Sequence, residues 1–144
     1  MIREATVQDA QLLASLAMNV WKESSLKEII TEFKQMTKSN EAVAFILIIE
    51  EQAVGFAQCQ LRHDYVEGTN TSPVGYLEGI FVEKEFRHRG YASELLLKCE
   101  DWVKTKGCLQ FASDCELDNT DSLAFHLKVG FTEANRMICF TKQL

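Results

Sequence analysis

The sequence predicts one α/β domain over residues 1–144, a mixed sheet carrying helices, in the order β-α-α-β-β-β-α-β-α-β-β. Three observations predict it. The apolar run Ala42 to Glu50 and the run Val54 to Arg62 are rich in β-branched and aromatic residues and read as a hairpin. The run Tyr76 to Val82 is a buried strand that leads, through a charged turn, into the helical spacing of Ala92, Leu95, Leu96, Cys99 and Val103. A strand at Leu109 to Ser113 follows that helix and must lie parallel to Tyr76–Val82, because a crossover helix separates the two.

Taken in order, Ile2 to Ala5 is a short edge strand. Thr6 and Asp9 have capping-box spacing, and Ala10, Leu13, Ala14, Ala17, Val20 and Trp21 repeat with a helical period. Ser25 and Glu28 form a second box before Ile29, Ile30, Phe33 and Met36. The hairpin turns at Glu51-Gln52-Ala53. The connection from His63 to Pro73 is polar and long for a compact domain, which marks it as a candidate functional loop. Gly107 closes the crossover helix. Asp118 or Asn119 caps a helix over Thr120 to Val129, which Gly130 ends, and Phe131 with Met137 to Thr141 supply the last strands.

At 144 residues and 47% hydrophobic, the chain buries a substantial core. No apolar run approaches the roughly 20 residues that span a bilayer, so a cytoplasmic protein without membrane contact is expected. Five scattered cysteines without a C-x-x-C pair read as reduced thiols, with no metal site. A net charge of −6 opposes nucleic-acid binding and suits a small cationic substrate.

Chemistry concentrates at Arg87-His88-Arg89-Gly90-Tyr91-Ala92, where a strand, a glycine turn and a helix start meet. Free N–H groups converge there, the helix dipole favours an anion, and Gly90 lets the backbone approach a phosphate. Two carboxylates stand out besides. Glu78 lies inside the apolar Leu77-Glu78-Gly79-Ile80-Phe81, and Asp114 ends the next parallel strand. Either can bind an ammonium and accept its proton, or serve as an ion-pair or capping group. Strand alternation places Glu78 and Ile80 on one face.

R-x-x-G-x-A after a buried strand, with Val82 five residues before Arg87, resembles the coenzyme A pyrophosphate loop of the GNAT N-acetyltransferases. That fold has the same element order, so the resemblance covers essentially the whole chain. It implies acetyl-CoA as co-substrate. The backbone at Arg87, His88, Arg89, Gly90, Tyr91 and Ala92 would hold the pyrophosphate. Ile80, Phe81 and Val82 would bond the pantetheine, with the Ile80 N–H facing the thioester oxygen and Gly79 permitting a bulge. Asn119 would contact the pantetheine arm. His126, where many relatives have Tyr, would be the proton donor to the leaving thiolate or a surface helix residue.

Arg62-His63-Asp64-Tyr65-Val66, Ser72-Pro73-Val74, Leu77 to Val82, Ala112-Ser113-Asp114 and Asn119-Thr120 narrow the resemblance to aminoglycoside 6′-N-acetyltransferases. It implies that Trp21, Tyr65, Glu78 and Asp114 hold the antibiotic, with Asn135 where relatives often carry an acid. It also implies a homodimer, with the C-terminal strand paired or exchanged between subunits. The alternatives are acetylation of a polyamine, small metabolite or protein amine, or an acyl-CoA-binding regulatory module without catalysis.

Overall fold

The computed structural model describes residues 1–144. Five strands, β1 (Ile2–Glu4), β2 (Ala42–Ile49), β3 (Gln52–Arg62), β4 (Val74–Val82) and β5 (Phe111–Ala112), form one sheet in sequential order. Neighbours are antiparallel except β4 and β5, which run parallel across the crossover helix. The helices are α1 (Ala10–Ala17), α2 (Leu26–Met36), α3 (Tyr91–Thr105) and α4 (Thr120–Lys128).

The Thr6–Asp9 capping box forms, and of the Ser25–Glu28 box only the serine cap does. The Thr6 N–H donates to Asp9 Oδ2 at 2.7 Å, and Arg3 grips the same carboxylate with two bonds of 2.8 Å. The Glu28 N–H donates to Ser25 Oγ at 3.1 Å, which starts α2 where the box predicts. α1 is shorter than its periodicity suggests, and turns through Val20 and Trp21 bond back to the Ala17 carbonyl.

The core has two layers. Cys59, Leu77, Val82, Leu95, Cys99 and Val103 lie between the sheet and α3, whereas Leu13, Ala14, Ile29, Phe33, Ile46 and Phe56 lie under α1 and α2. Each layer follows from strand alternation: Ala57, Cys59 and Leu61 face α3, and Phe56, Gln58 and Gln60 face α2. No helix is long and apolar enough to cross a membrane.

Three boundaries differ from the sequence expectation. The hairpin turns at Glu50 and Glu51, both at positive φ of 49° and 66°, and β3 begins at Gln52. β5 is only two residues long, since Leu109 stays exposed while the Gln110 side chain turns away to bond Asn70 and Thr71. No strand follows α4. After the bond from the Phe131 N–H to the His126 carbonyl, no backbone ladder holds residues 132–144, and Met137, Ile138 and Phe140 are exposed. A strand needs a paired edge, and residues 132–144 pair with none of the five strands.

Candidate active site

The pairing of β3 with β4 slips between Gln58, opposite Gly79, and Cys59, opposite Leu77. Glu78 is therefore the extra residue of a β-bulge. The slip reverses the alternation downstream. Leu77, Ile80 and Val82 all pack against α3, whereas a Cβ on Gly79 would strike the Trp21 ring at 2.8 Å on the α1/α2 side. Glu78 faces that same side, so it and Ile80 lie on opposite faces of the sheet. The expectation of a shared face fails because alternation assumes an unbroken ladder. Gly79 is needed for room beside Trp21.

Glu78 borders a cavity of about 300 Å³ between α2 and the sheet. Trp21, Ile29 and Phe33 give it apolar walls; Glu32, Gln58, Gln60, Ser24 and Glu78 give it polar ones. An apolar wall with a few convergent polar groups suits a small polar ligand, and two carboxylates suit a cationic one. Arg62 Nε and Nη2 reach Glu78 Oε1 at 3.0 and 2.8 Å, and Nη2 reaches Oε2 at 3.0 Å. The guanidinium lies 3.4 Å from the centroid of the Tyr76 ring. The Tyr76 hydroxyl donates to Asp114. Burial, followed by that bond, pushes the Tyr76 hydroxyl well above its ordinary pKa, so it stays a donor. The two sequence-predicted carboxylates thus belong to one connected group, Glu78–Arg62–Tyr76–Asp114.

β4 and β5 pair only at Gly75–Phe111 and Tyr76–Ala112. Beyond that point the sheet opens, and β4 from Leu77 to Val82 has no strand on its outer edge. At this opening, Ser113 Oγ lies 2.7 Å from His126 Nε2, and His126 Nδ1 lies 2.7 Å from the Ser122 carbonyl. A carbonyl only accepts, so Nδ1 carries a proton and Nε2 faces the serine.

At the other end of β4, Arg87 Nε donates to the Val82 carbonyl at 2.7 Å and fastens the turn into α3. His88 and Gly90 have φ of 63° and 85°, and nothing lies within 4 Å of where a Gly90 Cβ would stand. Nothing fills the space in front of Gly90, and the free N–H groups of the first turn of α3 make this cradle favourable to an anion.

The family model for acetyltransferases (GNAT) matches residues 9–131. The chain belongs to that family. Two curated relatives are aminoglycoside N(6′)-acetyltransferases type 1. The one from Stenotrophomonas maltophilia is 35% identical over 99% of this chain and 93% of its own. The one from Salmonella typhimurium is 39% identical over 79% of each chain. The solved structure of AAC(6′)-Iy in complex with the bisubstrate analog CoA-S-monomethyl-acetylneamine superimposes with a TM-score of 0.94 at 33% identity, covering 100% of this chain and 98% of that one. This acetyltransferase therefore has the GNAT fold.

The other predicted residues of this GNAT chain are placed as follows. Trp21 lies at the cavity wall, 6.2 Å from Phe56 between ring centroids. Tyr65 is exposed on the loop after β3. Asn135 donates to Glu67 Oε1 at 3.1 Å, which brings a carboxylate beside it. Asn119 caps α4 by accepting from the Ser122 N–H. Arg89 lies over the Phe86 ring. Sequence reasoning assigns no role to Arg62, Tyr76, Ser113 or Glu32. The alternating polar residues Gln58, Gln60 and Arg62 were a usable signal, since a polar row on one face of a central strand faces a ligand or a cavity.

Proposed function

We propose that this acetyltransferase moves the acetyl group of acetyl-CoA to the 6′-amine of an aminoglycoside, by direct attack within a ternary complex. The observation that carries the reading is the division of labour around the opening between β4 and β5. The carboxylate-bearing cavity and the Glu78–Asp114 group lie on the α1/α2 side, and the Gly90 cradle begins α3, which covers the other side. Acetyl-CoA supplies an acyl group already activated as a thioester. The N–H groups from His88 through Ala92 hold its pyrophosphate, in the loop that Arg87 opens, and the free edge of β4 at Ile80, Phe81 and Val82 holds its pantetheine, with Asn119 beside it. Glu78 and Asp114 bind ammonium groups and take the proton the amine must shed. Trp21 and Tyr65 offer aromatic faces to sugar rings, and Asn135 with Glu67 closes the far side. His126, through Ser113, returns a proton to the leaving thiolate.

The reading includes a single catalytic domain over residues 1–144 and a cytoplasmic location, where five free thiols stay reduced. It also includes a homodimer in which the exposed segment after α4 pairs with a second copy. An acetyl-CoA assay across kanamycin, polyamines and peptides, with products mapped by mass spectrometry, tests it. Acetyl on the 6′-nitrogen of kanamycin is expected, and none on an analog with a 6′-hydroxyl. Turnover confined to polyamines or peptides would replace the substrate, and no turnover with any amine would leave an acyl-CoA-binding module.

A further inference from the structure

Arg62 is the last residue of β3, yet its charge is spent next to Glu78 in the bulge of β4. Arg62 is paired with Val74 and Gln60 with Tyr76, so the side chain must run back along the strand, across the Tyr76 ring, to arrive there. That path fixes it twice. The ring supports the guanidinium from below, and Nε and Nη2 clasp both carboxylate oxygens. The pair is only partly open to solvent, with the Glu78 side chain 19% exposed and that of Arg62 38%. The Tyr76 that carries Arg62 on its face also carries Asp114 on its hydroxyl.

From this arrangement we infer that Arg62 is a positioning and specificity-determining residue, resting on the aminoglycoside reading above: it aims Glu78 into the cavity and holds down the charge a polycation meets there. A carboxylate clasped on both oxygens cannot rotate, so a substrate amine finds it in one orientation. The same clasp sets a positive charge beside it and weakens its hold on a cation. An acetylated aminoglycoside keeps its other ammonium groups, so a bare Glu78 with Glu32 on the same cavity would retain product as well as substrate. Arg62 trades affinity for release and aim.

Two substitutions separate the effects. Arg62→Gln removes charge and clasp. Kanamycin is expected to bind about three- to tenfold tighter by calorimetry, with kcat about tenfold lower or less. Arg62→Lys keeps the charge but loses the fork and the stacking plane. Its affinity should match wild type while kcat falls by several fold, a split that a merely structural role would not produce. Circular dichroism of both variants checks the fold, and Arg62→Lys alone decides the aiming claim if Arg62→Gln does not fold. Kanamycin bound no tighter by Arg62→Gln, or wild-type kcat in either variant, overturns the inference. A wild type that acetylates no aminoglycoside sinks the functional reading instead, and the calorimetric comparison still judges Arg62.

Discussion

In the proposed mechanism His126 passes its proton through its neighbour. Its Nδ1 is tied to the Ser122 carbonyl and its Nε2 to Ser113 Oγ, so neither ring nitrogen is free to meet a substrate. When the ring is charged, Nε2–H donates to Ser113, and the serine's own hydrogen is then available to the thiolate; one proton leaves the ring and one reaches sulfur. Ser113→Ala and His126→Ala should each lower kcat by about 100-fold, and the double variant by no more than either, because the two act in series. Stopped-flow or steady-state rates at saturating kanamycin and acetyl-CoA decide it, and wild-type rates in His126→Ala would return that residue to a helix-surface role. Asp9 gives a residue-level test of stability. The Arg3 guanidinium, helped by the Thr6 N–H and opposed by burial, holds its carboxyl well below the usual carboxylate range. A depressed folded-state pKa stabilises the fold above the unfolded value near 4 and loses that contribution as pH falls further. Asp9→Asn should cost about 1–3 kcal/mol at neutral pH, discounted for the partly exposed Arg3. Its thermal midpoint should also respond less to acid below about pH 4 than that of wild type.

Among elements, the β2–β3 hairpin offers a gain. Glu50 and Glu51 occupy the two central positions of a tight turn with both φ values positive, where L side chains are strained and Asn-Gly is preferred. The pair Glu50→Asn with Glu51→Gly should stabilise the protein by about 1–2 kcal/mol, a rise of several degrees in Tm by calorimetry. No rise would mean that the two glutamates repay the strain elsewhere. The turn into α3 works the other way. Gly90→Val meets no protein atom but must hold φ near 85°, and its side chain would fill the space in front of the cradle. Acetyl-CoA affinity should fall at least tenfold while the fold survives, read by calorimetric titration. Strands β1 to β4, the helix caps and this turn were legible in the sequence because each depends on residues within a few positions of one another. The bulge at Glu78 was not, since a register slip is set jointly by two strands and by the Trp21 ring arriving from a third element. The partnership of Arg62 with Glu78 was hidden with it. A charge inside an apolar run announces that something must meet it; which residue does so depends on the slipped ladder.

For the molecule as a whole, the segment after α4 is the part that carries apolar side chains without a ladder or a core. Ala134 touches Gly68 and Asn135 bonds Glu67, but beyond them Met137, Ile138, Phe140 and Leu144 stand in solvent. Met137 and Cys139 alternate with Ile138 and Phe140, so as a strand the segment would be apolar on both faces, the pattern of a strand covered on both sides. The local pattern of a strand is there without a ladder, and in the proposed dimer a second copy supplies its partner. Cys139 reports on this, because it lies inside the segment while Cys115, also exposed, lies before α4. If two copies pair through the segment, sedimentation should give about twice 16.4 kDa, and a thiol reagent should modify Cys115 well before Cys139. Buried Cys59, Cys99 and Cys108 should stay unmodified until unfolding; for Cys99 the bond to Cys59, and then burial, push the thiol well up. Removing the residues after Asn135 should yield a monomer whose acetyl-CoA affinity is unchanged, since the cradle is complete without them. A full-length species of 16.4 kDa at micromolar concentration, with Cys139 and Cys115 reacting at one rate, would sink the pairing and leave the segment an exposed apolar tail in search of another surface.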